Sequence, residues 1–140
     1  MDFKKLFIGG IVGGILFFGL SYLIYGKLMM TFFANHPGEV TVERAEADLQ
    51  FLYLGVGCLL QGFFLAYIFV RANVSSAGSG FVTGGIVALL LGAAMNCIMY
   101  GHTRMLSKTG MVADVAVATA MTAVIGAIIA MVMNMGKKNP

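Results

Sequence analysis

The run LFIGGIVGGILFFGLSYLIYG, residues 6–26, decides the fold. It contains no charged residue and follows Lys4 and Lys5 directly. A helix crossing about 30 Å of hydrocarbon needs roughly 20 apolar residues, and this run supplies them. The apolar region of a secretory signal is shorter, roughly 7–15 residues, so the run reads as a membrane span.

Three more charge-free runs follow, at residues 49–70, 72–103 and 115–136. The Gly/Ser-rich piece 74–80 reads as a loop, which leaves a helix over about 81–100. Lipid cannot satisfy the backbone of an open strand, so each span must be helical. The expected fold is an all-α membrane protein, a single transmembrane domain over 1–140. It is expected as a four-transmembrane-helix bundle with spans near 6–26, 49–70, 81–100 and 115–135. Composition agrees: 59% of the 140 residues are hydrophobic and 11% charged, against about a quarter charged in soluble domains. Cys58 and Cys97 both fall in apolar runs and read as small buried hydrophobes.

The net charge of +3 does not point to nucleic acid. Its lysines and arginines flank apolar runs and form no stripe with interleaved aromatics. Four spans place Lys4, Lys5, Arg71, Lys137 and Lys138 on one side of the bilayer. Lys27, Arg44, Arg104 and Lys108 fall on the other. That excess, together with five of the six acidic residues lying opposite, favours cytoplasmic termini in a bacterial inner membrane.

The outer segment 27–48 joins the first two spans. His36-Pro37-Gly38 breaks it. From Thr41, an expected N-cap, helix formers and early acidic residues predict that the second helix begins about two turns outside the bilayer. Tyr25-Gly26 and Tyr100-Gly101 are expected to end their helices at the interface, Tyr at headgroup level and Gly in a left-handed cap.

An offset of 75 positions aligns Gly9-Gly10-Ile11-Val12 with Gly84-Gly85-Ile86-Val87, and Tyr25-Gly26 with Tyr100-Gly101. This suggests two parallel-repeat helical hairpins. Small residues recur at helical spacing: Gly9/Gly13 and Gly10/Gly14, then Gly80, Gly84, Ala88 and Gly92. Ala116, Ala120, Ala123, Ala127 and Ala130 alternate four and three apart before Asn134. Such GxxxG-like faces let helix backbones approach, within one bundle or between copies.

Intramembrane polarity is sparse. Gln61 and Asn96 are its strongest hydrogen-bonding side chains, and no ionisable residue falls inside an expected hydrocarbon core. That weighs against an ion-coupled carrier. Both histidines, His36 and His102, fall on the outer side. Met95, Met99 and His102 share a helix face that Met105 continues, with Glu39, Glu43, Glu46 and Asp114 on the same side. Thioether with imidazole would suit copper, and imidazole with carboxylate zinc; haem is a further option. The favoured set would be His36, His102, Met99 and Asp114. The competing reading takes these methionines as apolar filler.

No nucleophile elbow, phosphate loop, HExxH or CxxC is present, so no enzyme is expected. The four spans, with Tyr25-Gly26-Lys27 and Met30 closing the first, resemble a bacterial family of small four-helix integral membrane proteins of unknown function. That resemblance implies the same fold and no activity. The expected role is a non-enzymatic helix-packing or accessory component, partnered by the lipid bilayer and by a homo-oligomer or larger membrane complex. The alternatives are an oligomeric channel or passive small-solute transporter, and outer-side metal or haem binding.

Overall fold

The first helix begins at Asp2, whose Oδ1 accepts the Lys5 amide N–H at 3.1 Å. That satisfies one of the donors every helix N-terminus leaves open. The computed structural model describes residues 1–40 and 42–135. Among these the chain is helical, with no strand beyond an isolated bridge between Pro37 and Leu106. Helix α1 covers Phe3–Leu23 and runs on through a π-helical turn, Ile24–Leu28, to the short α2, Met30–Asn35. Helices α3 (Phe51–Arg71), α4 (Ala77–His102) and α5 (Lys108–Asn134) follow. Four segments, Phe3–Leu28 and these three helices, are long and apolar enough to cross a membrane. This is the make-up of a multi-pass membrane protein.

Capping chemistry moves the boundaries away from the charge-free runs. Ser76 and Ser79 form a reciprocal capping box, so α4 starts at Ala77 and residues 77–80 are helix instead of loop. Ser107 Oγ accepts the Gly110 N–H at 3.1 Å and starts α5 at Lys108, well before residue 115. Arg71 ends α3, with Val74 N–H donating to Phe69 O at 2.9 Å and Asn73 N–H to Val70 O at 3.4 Å. Asn73 takes φ +53°, the left-handed cap that this double hydrogen bond requires.

Neither Tyr-Gly pair stops its helix. At Gly26 the Met29 N–H reaches back to Ile24 O at 2.7 Å, closing a π turn without any left-handed residue. At the end of α4, both the amide and the Oγ1 of Thr103 donate to Met99 O, at 2.9 and 2.8 Å. The cap is therefore Thr103, not Gly101.

The outer extension of the second helix is also absent. Residues 42–48 are exposed and hold a single 3-10 turn, Glu46–Asp48, before α3 begins at Phe51. A short helix with nothing to pack on is marginal in water whatever its propensity. The expected N-cap Thr41 lies outside the described residues, as do Lys137 and Lys138. The outer segment is held instead by residues 36–40, which lie across the α4–α5 turn. Glu39 and Val40 N–H groups donate to Arg104 O at 2.8 and 3.3 Å, and Ser107 Oγ donates to His36 O at 2.7 Å. A Cβ on Gly38 would collide with the Met105 backbone, so this crossing needs a glycine.

The spans pack in the spatial order α3–α1–α5–α4, with slight contact between α3 and either α4 or α5. Glycine permits each close approach. A Cβ on Gly62 would strike the backbone of Gly10, Gly13 and Gly14, and one on Gly126 the Gly80 carbonyl. Phe17, Leu65, Phe69, Ile125 and Ile129 fill the junction of α1, α3 and α5, all nearly inaccessible. This core is lopsided. In α3 the buried positions run from Gly62 to Phe69, in α4 they are Gly80 and Gly84, and in α5 they concentrate from Met121 to Met133. Gly110 apart, these lie in the half of the protein nearest the termini, and the opposite half is loosely packed.

Gly62→Ala should therefore lower the thermal stability of the detergent-solubilised protein by about 1–3 kcal/mol, as overpacking does. Gly57→Ala, where a Cβ would meet nothing within 4 Å, should leave the melting temperature unchanged or slightly raise it.

Candidate functional site

In the half of the protein away from the termini, Asn96 of α4 donates from Nδ2 to Asp114 Oδ2 of α5 at 2.9 Å. The same amide also reaches Gly92 O, one turn back, at 3.0 Å. From the π turn that follows α1, Tyr25 donates its hydroxyl to the Asp114 main-chain carbonyl at 3.4 Å, while its ring stacks on Phe33 of α2. Three spans and the outer helix thus meet at one carboxylate-centred cluster. Asp114 does not lie in an outer loop: it sits inside α5, within the fourth candidate span and half-buried. Asp114 therefore belongs to the same helix as the fourth charge-free run, near its first turns. The charge-free run stops short at Asp114, whereas the helix starts about two turns earlier at the Ser107 cap.

The pairing was readable in one respect. Asn96 and Asp114 are equidistant in sequence from Met105, as are Gly84 and Gly126. Once the turn is placed at residues 103–107, antiparallel packing sets each residue opposite its mirror partner.

The structure does not gather the expected metal ligands. Among the described residues, no group of three or more His, Cys, Asp or Glu side chains is placed to hold a metal ion. His36 Nδ1 lies 2.9 Å from Phe32 O, and its ring stacks on Phe32. His102 is exposed at the end of α4, Met99 is half-buried, and Asp114 is engaged with Asn96. Met95 and Met105 are exposed. Glu39 pairs with Arg104 at 3.3 Å and Glu46 with Lys27 at 3.8 Å, both on open surface; such pairs contribute little. Glu43 is exposed in the outer segment.

The small residues divide between two environments. Gly9, Gly10, Gly13 and Gly14 are buried on α1 against Met133, Phe63, Ile129 and Leu59 in turn. Gly84 faces Thr122 on α5, and Ala123 and Ala130 are buried. Ala88 and Ala127 are half-buried. The alanine seam does not stay in one interface, however. Ala116 and Ala120 are exposed and line an apolar groove of about 410 Å³ with Phe81, Ile86 and Leu89. Gly92 has open space beside it.

Gln61 and Asn96 are not brought together, because α3 and α4 occupy opposite ends of the row. Gln61 stands midway along α3, exposed, and makes no side-chain hydrogen bond among the described residues. One polar tie lay beyond sequence reading. At the terminal side Asn134 Oδ1 accepts from Lys5 Nζ at 3.1 Å, and its Nδ2 donates to Val74 O at 3.1 Å. It fastens α1, the α3–α4 connection and α5 together. Asn134 had looked like the polar end of an alanine seam, and nothing local marks its distant partners.

Neither a known protein family, nor a curated protein, nor a solved structure matches this chain.

A double-mutant cycle checks the outer cluster. Asn96→Leu and Asp114→Leu should be non-additive in thermal unfolding, with a coupling of about 0.5–2 kcal/mol, the range for interhelical hydrogen bonds in membranes. Strict additivity would show that the two side chains do not interact.

Proposed function

We propose that this chain is a non-enzymatic integral membrane protein, a helix-packing or accessory component of a bacterial inner-membrane assembly, with both termini cytoplasmic. One observation carries the reading: the exposed amide of Gln61, midway along a span of 21 residues. At about 1.5 Å per residue, it lies roughly 15 Å from either helix end, at the depth of the hydrocarbon midplane. An amide there is costly without a hydrogen-bonding partner. Side chains of this kind join helices across membrane interfaces.

The surroundings of Gln61 suit an approaching helix. Gly57 lies one turn before it on the same face, and a Cβ at Gly55 or Gly57 would meet nothing within 4 Å. As an end member of the row, α3 has one flank free of α1. The loosely packed outer half continues that flank. The two sets of glycines, aligned at the 75-residue offset, support reading the fold as two parallel-repeat hairpins within one four-helix bundle. The glycine contact point is not the same in both: Gly62 meets Gly10 to Gly14, while Gly126 meets Gly80 and Gly84.

A second reading, an oligomeric channel or passive small-solute transporter, is favoured by Asp114. A carboxylate inside a span, hydrogen-bonded by Asn96, is a typical element of a polar path. Liposome flux separates the two readings, since Asn96→Leu should alter flux through such a path and leave assembly intact.

Native mass measurement from mild detergent tests the leading proposal. The wild-type protein is expected as an oligomer or with a co-purifying membrane partner. Gln61→Leu should weaken that association about tenfold, the loss of one to two interhelical hydrogen bonds. A strictly monomeric wild-type protein without a partner would overturn the assembly reading.

A further inference from the structure

At the terminal side, a cavity of about 480 Å³ opens where α1 begins and α3 and α5 end, bounded by Lys5, Phe69, Arg71, Asn73, Val74 and Met133 among others. Its volume falls in the range of about 300–1,000 Å³ typical of small-ligand sites. Several of its acceptors are already engaged: Phe69 O accepts from Val74 N–H at 2.9 Å, and Val70 O from Asn73 N–H at 3.4 Å. Val74 O accepts from Asn134 Nδ2 at 3.1 Å. The one acidic side chain on the rim, Asp2, caps α1 through Lys5 N–H at 3.1 Å.

Two basic side chains, Arg71 and Lys5, border the cavity. Arg71 carries five N–H groups on an exposed, permanently charged head. No carboxylate lies within ion-pair distance of it among the described residues. Lys5 adds a second cation, oriented by its hydrogen bond to Asn134 at 3.1 Å. Beneath them the wall is apolar, formed by Phe69, Val74 and Met133, each at most 9% exposed. A ligand complementary to this cavity brings acceptor oxygens and negative charge at one end and hydrocarbon at the other.

We propose that the cavity is a binding site for an anionic phospholipid. Arg71 and Lys5 engage the phosphate, Arg71 through its planar fork, and the Val74–Met133 wall meets the glycerol and first acyl carbons. Basic pockets between spans at a membrane surface suit such headgroups. The apolar wall selects a lipid over a free phosphate ion.

The test reconstitutes the full chain in nanodiscs of mixed phosphatidylglycerol and phosphatidylcholine and counts retained lipids by native mass spectrometry. Wild-type protein should retain phosphatidylglycerol in preference. Arg71→Gln should cut that preference about fivefold, the effect of one cation near an anionic surface. Lys5→Gln is a second variant with the same expected fall. Lys27→Gln removes an equal charge from the opposite side and should change nothing. An absent preference in the wild type, or an equal fall with Lys27→Gln, overturns the proposal. A third arm adds inorganic phosphate to delipidated protein. Thermal stabilisation equal to that given by phosphatidylglycerol would make this a free-phosphate site and also overturn it.

Discussion

The structure depends on backbone-to-backbone contact between glycines. Lipid tails are as apolar as leucine, so two spans gain little from mutual hydrophobicity and are held by close packing and polar contacts. Gly62 against Gly10 and Gly14, and Gly126 against Gly80, bring α3 onto α1 and α4 onto α5 so closely that no Cβ fits between. With those contacts made, Phe17, Ile125 and Ile129 can fill the junction between the two pairs. Side chains elsewhere on the spans mostly face outward, as expected where the solvent is hydrocarbon.

Polar groups then fasten what packing brings together, one cluster at each end. Asn134 ties Lys5 to Val74 on the terminal side, and Asp114 ties Asn96 and Tyr25 on the opposite side. Each cluster uses residues from three separate parts of the chain. A substitution in either would therefore be felt by several helices at once. The terminal cluster sits over a dense core and the outer one over a sparse core, so the two ends resist separation unequally.

Much of this was legible in the sequence, for physical reasons that differ by element. The four spans follow from charge exclusion over some 20 residues, a constraint lipid enforces strongly. Glycine spacing on α1 located a buried face because only close contact explains so many missing side chains. Boundaries were less legible, since Ser76, Ser107 and Thr103 set them through single hydrogen bonds that hydropathy does not register. The glycines after Tyr25 and Tyr100 look like helix stops, yet each helix closes by a different hydrogen bond. The acidic stretch before Leu49 has helical propensity but no surface to pack on. Of the candidate site residues, Asn96 and Asp114 could be paired by their symmetry about Met105. Lys5 and Asn134 could not, because their contact depends on how two hairpins dock.

That docking has a bearing on how the protein comes to exist. Gly9 and Gly13 face Met133 and Ile129, residues of α5, which is made after the other three spans. During synthesis the first two spans can pair soon after they enter the bilayer, through Gly62. One side of α1 must still wait, bare, until α5 has been threaded across the membrane with its partner α4. The packing around α1 thus waits on α5, and a chain interrupted before α5 would leave the groove on α1 open to whatever helix diffused past.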